Sequence, residues 1–363
     1  MADAQASLDQ QEGLPSELNP SSLRRRGLTI GAILIVCGLV ILLAPGLGEV
    51  RDKLEGIDPA WFALAVVLEA LSCASYVLMF RPIFCSRMPW KLSWQISLSE
   101  VGMGSIVPAS GIGGLALGAW VLRRGGMPAE TIGRRSVAFF LIKGSTNFVL
   151  VAVLGYCMAL GLFGPDLSPW LTLFPALLAT LTIAAVILVP RVLGTDPDPN
   201  RYAGRTRRAV AHARNALVNG AREAVRLIRS GNWMAIAGSI GYYAWDNAVL
   251  WATFKAVGES VPVSVVAMAY LIGQLGGLLP LPGGLGGVDG GLIGTFVVFG
   301  VPAAAAASAV LAYRVILFWL PLIAGAIAFA TLRRTLQTID TTGVCRAAVG
   351  NDLPTLTLPA RSG

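Results

Sequence analysis

The chain has 363 residues, of which 55% are hydrophobic and only 13% charged, with 42 glycines and a formal net charge of +8. Soluble domains carry about 25% charged residues, so this balance excludes an ordinary soluble enzyme and points to a membrane protein. The basic charge is read through membrane topology and not through nucleic-acid binding, because arginine clusters between apolar stretches follow the positive-inside rule.

Residues 1–27 read as a disordered cytoplasmic N-terminus, not as a signal peptide, since a full-length apolar stretch follows them. Six segments reach the roughly 20 residues needed to cross hydrocarbon: about 28–47, 60–80, 136–162, 170–190, 233–254 and 304–330. Two further stretches, 91–122 and 263–299, are apolar but interrupted near the middle by Gly and Pro. Arg24, Arg25 and Arg26 set the N-terminus inside, and the acidic residues Glu49, Asp52, Glu55 and Asp58 then fall outside. A single crossing by 91–122 would strand Arg123, Arg124, Arg134 and Arg135 outside. A re-entrant hairpin turning at 108–114 keeps all four inside, and the same logic makes 263–299 a hairpin entering from the opposite face. Residues 191–231, rich in arginine, form a cytoplasmic loop whose Val210, Leu217, Ala221, Ala224 and Ile228 recur with helical period. Such a helix fits either an anionic leaflet or a solvated connector. A second membrane half covers 232–330, and 331–363 reads as a disordered cytoplasmic tail.

The two interrupted stretches resemble each other. A constant shift of 172 residues carries Gly104, Pro108, Gly111 and Gly114 onto Gly276, Pro280, Gly283 and Gly286. Gly126-Met127-Pro128 likewise matches Gly300-Val301-Pro302 with two residues gained. Three full spans separate the hairpins, so the copies have opposite orientation. The expected fold is therefore an all-α polytopic membrane protein, with about six transmembrane helices and two re-entrant hairpins in an inverted repeat. Irregular backbone at bilayer depth is tolerated only where protein or a polar cavity satisfies it, so the two turns are expected to meet in a shared central site.

Charged side chains inside spans usually mark a pathway or a pair. Here they are Glu69, Glu100, Lys143, Asp246, Asp289 and Arg314. Lys143 and Arg314, with Asn147, Gln274 and the turn residues Pro108, Ser110, Gly111, Gly113, Gly114, Pro280, Pro282, Gly283, Gly284 and Gly286, form a candidate site for an anionic group such as a lipid phosphate. The alternative is internal pairing, Lys143 with Glu100 and Arg314 with Asp289. Glu100, Asp246 and Asp289 are candidates for proton coupling or ion pairing. Glu69 and Asp246 could equally cap Ser72, Ser75 or Asn247, and Tyr270, Tyr313 and Trp245 are secondary site-lining candidates. No metal or cofactor is expected. His212 is the sole histidine, and Cys37, Cys73, Cys85, Cys157 and Cys345 are scattered without a CxxC pair, which reads as small core residues and not as a disulfide framework or zinc site.

The run Pro280-Leu281-Pro282-Gly283-Gly284-Leu285-Gly286-Gly287-Val288-Asp289, followed by Gly300-Val301-Pro302 and Arg314, resembles the C-terminal signature of the lysylphosphatidylglycerol synthase transmembrane (flippase-like) family. The resemblance spans about residues 28–330. It implies a bacterial inner-membrane protein that moves a phospholipid or a lipid-linked anionic molecule between leaflets. Asp289 stands where the family commonly has glutamate, Lys143 where it often has arginine, and the first copy lacks the acidic residue after its glycines. The chain has no soluble aminoacyl-transferase domain, so a transporter and not an enzyme is expected. The rival readings are a membrane-embedded transferase acting on a lipid-linked substrate and a non-transporting scaffold subunit.

Overall fold

A segment with few polar side chains can cross hydrocarbon only by satisfying every backbone N–H and C=O within itself, and the helix is the solution open to one chain segment. The computed structural model describes residues 48–106, 112–165, 167–195, 204–274, 287–338 and 345. Among these it has helices and no strand: α1 (Gly48–Glu55), α2 (Pro59–Phe84), α3 (Trp90–Ile106), α4 (Ile112–Arg124), α5 (Ala129–Ala159), α6 (Pro169–Leu193), α7 (Arg205–Arg229), α8 (Trp233–Ala256), α9 (Val263–Gly273), α10 (Gly287–Val298) and α11 (Ala303–Thr338).

Local chemistry sets the boundaries. Pro59 opens α2, where its missing N–H would have no intrahelical partner, and Asp58 Oδ1 accepts from the backbone N–H of Ala60 at 2.8 Å. Gly126 and Gly300 stand just before α5 and α11, at φ of 88° and 86°, a backbone region that side chains resist. Four described helices are long and apolar enough to cross a membrane: α2, α5, α6 and α11. They match the expected spans 60–80, 136–162, 170–190 and 304–330. The span expected at 233–254 is α8, of 24 residues, long enough but carrying more polar residues. The stretch 28–47 lies outside the described residues.

At the centre α2 and α8 run antiparallel along their whole lengths. The backbone N–H of Asp58 donates to Ala256 at 2.8 Å, the Trp61 and Trp251 rings meet edge to face at 5.4 Å, and Ser72 Oγ donates to the Tyr242 carbonyl at 3.3 Å. The approach is close because Gly238 lies flat on the Ser75–Met79 backbone. α3 lies antiparallel on α11, with Gly102 against Gly325 and Gln95 Nε2 donating to Thr335 Oγ1 at 3.1 Å. α5 lies on α9, where Gly155 meets Met268. Large apolar side chains on α6, among them Trp170, Phe174, Leu181 and Leu188, remain exposed, as a lipid-facing helix requires. Lys53 and Glu259 pair at 2.6 Å, tying α1 to the turn after α8. This hydrogen bond raises the Lys53 ammonium above its ordinary pKa, so the pair's small contribution holds at neutral pH and fades as pH climbs through the lysine range.

α7 docks on α5 and α6 by only part of the face its periodicity suggested. Ala211, Val218, Ala221 and Ala224 are buried, with Gly220 against Val137, while Val210, Leu217 and Ile228 are exposed. Small residues allow the close approach and the larger ones are left for the surrounding medium. Glu223, only 5% exposed, anchors the helix: it lies 3.5 Å from Arg134 Nε, 3.7 Å from Arg135 Nε and 2.7 Å from Arg226 Nη2. Glu223→Ala is expected to cost about 1–3 kcal/mol, since a buried charge network loses its acceptor. It should also make a cysteine placed at Val218 readily labelled by a maleimide. Protection as in the parent would dismiss Glu223 as the anchor.

Two further expectations need correction. The sequence predicts a tail from residue 331, but α11 continues to Thr338 and buries Leu332 and Leu336. Cys85, which caps the end of α2, is disulfide-bonded to Cys345, their Cα atoms 5.8 Å apart. Their separation of 260 residues hid this from a reading by spacing. Cys73 and Cys157 are free thiols.

Candidate functional site

The intramembrane charges assemble into one polar cluster. Asp246, in the middle of α8, accepts hydrogen bonds from the hydroxyls of Tyr270 on α9 and Tyr313 on α11, the latter at 3.1 Å. On the same face of α8, one turn earlier, Tyr242 offers its ring to Lys143 of α5, whose Nζ lies 4.0 Å from the ring centroid. The same ammonium lies 5.6 Å from the Tyr76 ring of α2. A cation over aromatic faces gains roughly 0.5–2 kcal/mol, which offsets part of its desolvation without an acidic partner. Tyr76 then donates to Glu100 Oε2 of α3 at 3.2 Å. Glu100 fills the space over Gly118 of α4, where a larger residue would displace its carboxylate. Beside Tyr313, Arg314 forms an ion pair with Asp289 of α10, its Nε donating at 2.7 Å.

Glu69, Glu100 and Asp246 are each only 4% exposed. Burying such groups in a low-dielectric interior is costly unless they are paired and hydrogen-bonded. Arg314 and Asp289 compensate each other, so the pairing alternative holds for them. It does not hold for Lys143 and Glu100, which turn to the tyrosines instead. Among the described residues Lys143 has no ion pair with a carboxylate, though it interacts electrostatically with Asp246. Glu69 and Asp246 do not cap serines or Asn247: Glu69 Oε1 accepts from the Cys73 thiol at 3.7 Å, and Asp246 binds the two tyrosines.

The remaining candidates divide. Asn147 Nδ2 donates to the Leu271 carbonyl at 3.4 Å, joining α5 to α9 beside the cluster. Gln274 caps the end of α9 and is half-buried. Gly113 and Gly114 lie in the first turn of α4. Pro108, Ser110, Gly111, Pro280, Pro282, Gly283, Gly284 and Gly286 lie outside the described residues. Trp245 is exposed. Tyr76 and Tyr242 were missed, yet a signal existed. Glu69, Cys73 and Tyr76 share one face of α2, and Tyr242 and Asp246 are four apart on α8, the spacing that stacks side chains.

Two apolar grooves flank α9. One, of about 530 Å³, is lined by Leu154, Trp251 and Leu271 and reaches Tyr243 and Asn247. The other, of about 480 Å³, is lined by Val151, Phe174, Leu178 and Ile272 and reaches Gly290, next to Asp289. Both therefore end near the charged cluster.

A family model described as the lysylphosphatidylglycerol synthase TM region matches residues 29–325. A UPF0104 membrane protein of Methanothermobacter thermautotrophicus is 27% identical over 80% of this chain and 92% of its own length. A second alignment to a UPF0104 membrane protein of that organism gives 28% identity, covering 83% of this chain and 91% of the relative. A UPF0104 membrane protein of Methanocaldococcus jannaschii is 34% identical over a shorter stretch, 29% of this chain and 31% of its own. With most of the chain covered by the family model, this multi-pass helical protein belongs to the family of the lysylphosphatidylglycerol synthase TM region.

Proposed function

We propose that the protein is a flippase-like transporter that moves a phospholipid, or a lipid-linked anionic molecule, between the leaflets of the cytoplasmic membrane. One observation carries this reading: Lys143 is held within the bundle by tyrosine rings, with no carboxylate ion pair among the described residues, and it and Arg314 both act electrostatically on Asp246. An intramembrane cation in that setting can receive an anionic headgroup, whose passage through bare hydrocarbon would be prohibitively costly. The grooves beside α9 suit the acyl chains, which stay in an apolar environment while the headgroup exchanges water for Lys143, Arg314 and the tyrosine hydroxyls.

The helix order supports an inverted repeat with two hairpins as part of this reading. A shift of 172 residues carries the starts of α2, α3, α4 and α5 to within three residues of the starts of α8, α9, α10 and α11. The copies α2 and α8 lie antiparallel, α3 meets α11 as α9 meets α5, and Gly126 and Gly300 adopt the same left-handed backbone. α3 and α4 also lie against each other, as do α9 and α10, with α4, α9 and α10 too short to cross alone. Such a repeat permits alternating access by rocking one half against the other.

In vesicles reconstituted with the purified protein and labelled anionic phospholipid, leaflet exchange is expected to exceed that of protein-free vesicles by about tenfold or more. That factor needs only about 1.4 kcal/mol off the barrier. Exchange no faster than in empty vesicles would remove this function for the lipids tried.

A further inference from the structure

Within the bundle the acids outnumber the cations. Once Arg314 and Asp289 neutralise each other, Glu69, Glu100 and Asp246 remain, with Lys143 as their one cation among the described residues. Three ionised carboxylates would leave uncompensated negative charge in a low-dielectric interior, which membrane proteins do not sustain without a bound counter-charge. The shortfall is sharpest at Glu69. Its Oε1 has only the weak thiol donor of Cys73, and its buried Oε2 has no hydrogen-bond partner among the described residues. Glu69 lies within electrostatic reach of Asp246, whose two oxygens are already occupied by Tyr270 and Tyr313. The groups facing this pair are Cys73 from α2, Lys143 from α5, Tyr242 and Tyr243 from α8, Tyr270 from α9, and Tyr313 and Arg314 from α11. Lys143 and Arg314 are the only cations among them, and Arg314 has its own partner.

We infer that Glu69 and Asp246 form a shared proton site, with the exchangeable proton carried on Glu69 Oε2, and that its loading is coupled to the anion held by Lys143. The proton comes from bulk water, adds to the carboxylate oxygen and leaves by the same bond; no other bond changes. Two nearby carboxylates in a low-dielectric site hold one proton between them unless a cation offsets the second charge. When an anionic headgroup draws Lys143 toward itself, Asp246 loses its cation and the pair must keep its proton. When the headgroup leaves, Lys143 compensates Asp246 and the proton on Glu69 can depart. Loading thereby ties proton movement to headgroup movement in the transport cycle proposed above, and the coupling rests on that reading, whereas the proton site does not.

The site is tested on the full-length protein in lipid nanodiscs by infrared difference spectroscopy. A protonated-carboxyl stretch that shifts in D₂O, bleaches as pH rises, and is missing in Glu69→Gln but retained in Glu69→Asp is expected. A spectrum in which Glu69→Gln retains every protonated-carboxyl band overturns the proton site. Bleaching by added Na⁺ at constant pH overturns it in favour of a metal cation. Coupling is tested in vesicles with a one-unit pH gradient. The wild-type leaflet ratio at steady state should shift by about tenfold per coupled proton, Glu69→Asp should keep the shift, and Glu69→Gln should lose it. Wild-type exchange with no gradient-dependent bias overturns the coupling alone. Absence of exchange overturns the transport reading, and the infrared result then decides the proton site by itself.

Discussion

Arg314→Gln is expected to lower stability by about 2–4 kcal/mol, toward the lower side of the range for one partner removed from a buried pair, because both side chains keep some exposure. It should also slow leaflet exchange, because one of the two cations offered to the headgroup is lost. The cause of the stability loss is Asp289, left charged without its cation, not the missing hydrogen bonds as such. The double variant Arg314→Gln/Asp289→Asn removes that stranded charge and should recover most of the stability, while exchange stays slow because the cation is still absent. Thermal unfolding in detergent, followed by tryptophan fluorescence, separates the two effects. If the double variant is no more stable than the single one, the pair does not compensate charge in the way argued above. Exchange restored in the double variant would show that Arg314 does not receive the headgroup.

Gly238→Leu is expected to be the most damaging substitution in the packing between α2 and α8. A Cβ at Gly238 would lie 2.6 Å from the Met79 backbone nitrogen and 2.7 Å from the Ser75 carbonyl oxygen. Neither is the end of a flexible side chain, so the helices must separate. Overpacking of this kind costs about 1–3 kcal/mol, and here the gap opens along an antiparallel contact that runs from Asp58 beside Ala256 at one end to Met79 beside Gly238 at the other. The cluster straddles that contact, with Tyr76 and Glu69 on one side and Tyr242 and Asp246 on the other. Gly238→Leu should therefore loosen the seat of Lys143 as well as destabilise the fold. Gly133→Ala is the control: nothing lies within 4 Å of its Cβ position. That change should leave stability the same or raise it by up to about 1 kcal/mol through helix propensity. Equal behaviour of the two variants would refute the close-packing account.

Much of this was legible in one dimension. The apolar runs, the arginine clusters between them and the signature around Asp289 marked a helical membrane protein and its family. α2, α5, α6 and α11 lie over the expected spans because a 20-residue apolar run has few other ways to satisfy its backbone. The in-span charges were visible as well, since each is conspicuous against apolar neighbours. Their partners were harder to read. Of the two pairings in the internal-pairing alternative, Arg314 with Asp289, 25 residues apart, holds, whereas Lys143 meets not Glu100 but Tyr242, 99 positions away. The aromatics that hold it looked like ordinary apolar filling.

What the chain determined by itself is what depends on local composition: which segments enter hydrocarbon, where helices begin at Asp58–Pro59 or break at Gly126 and Gly300, and which residues carry charge where charge is expensive. The tertiary structure alone decided which charges meet. It set Tyr270 and Tyr313 on one carboxylate, left Glu69 Oε2 without a hydrogen-bond partner among the described residues, and joined Cys85 to Cys345. Hydrophobicity and backbone hydrogen bonding are summed over neighbours in sequence. A hydrogen bond, a cation over a ring or a disulfide depends on a few ångströms between segments, and only the packing of α2 on α8 brings those segments within reach.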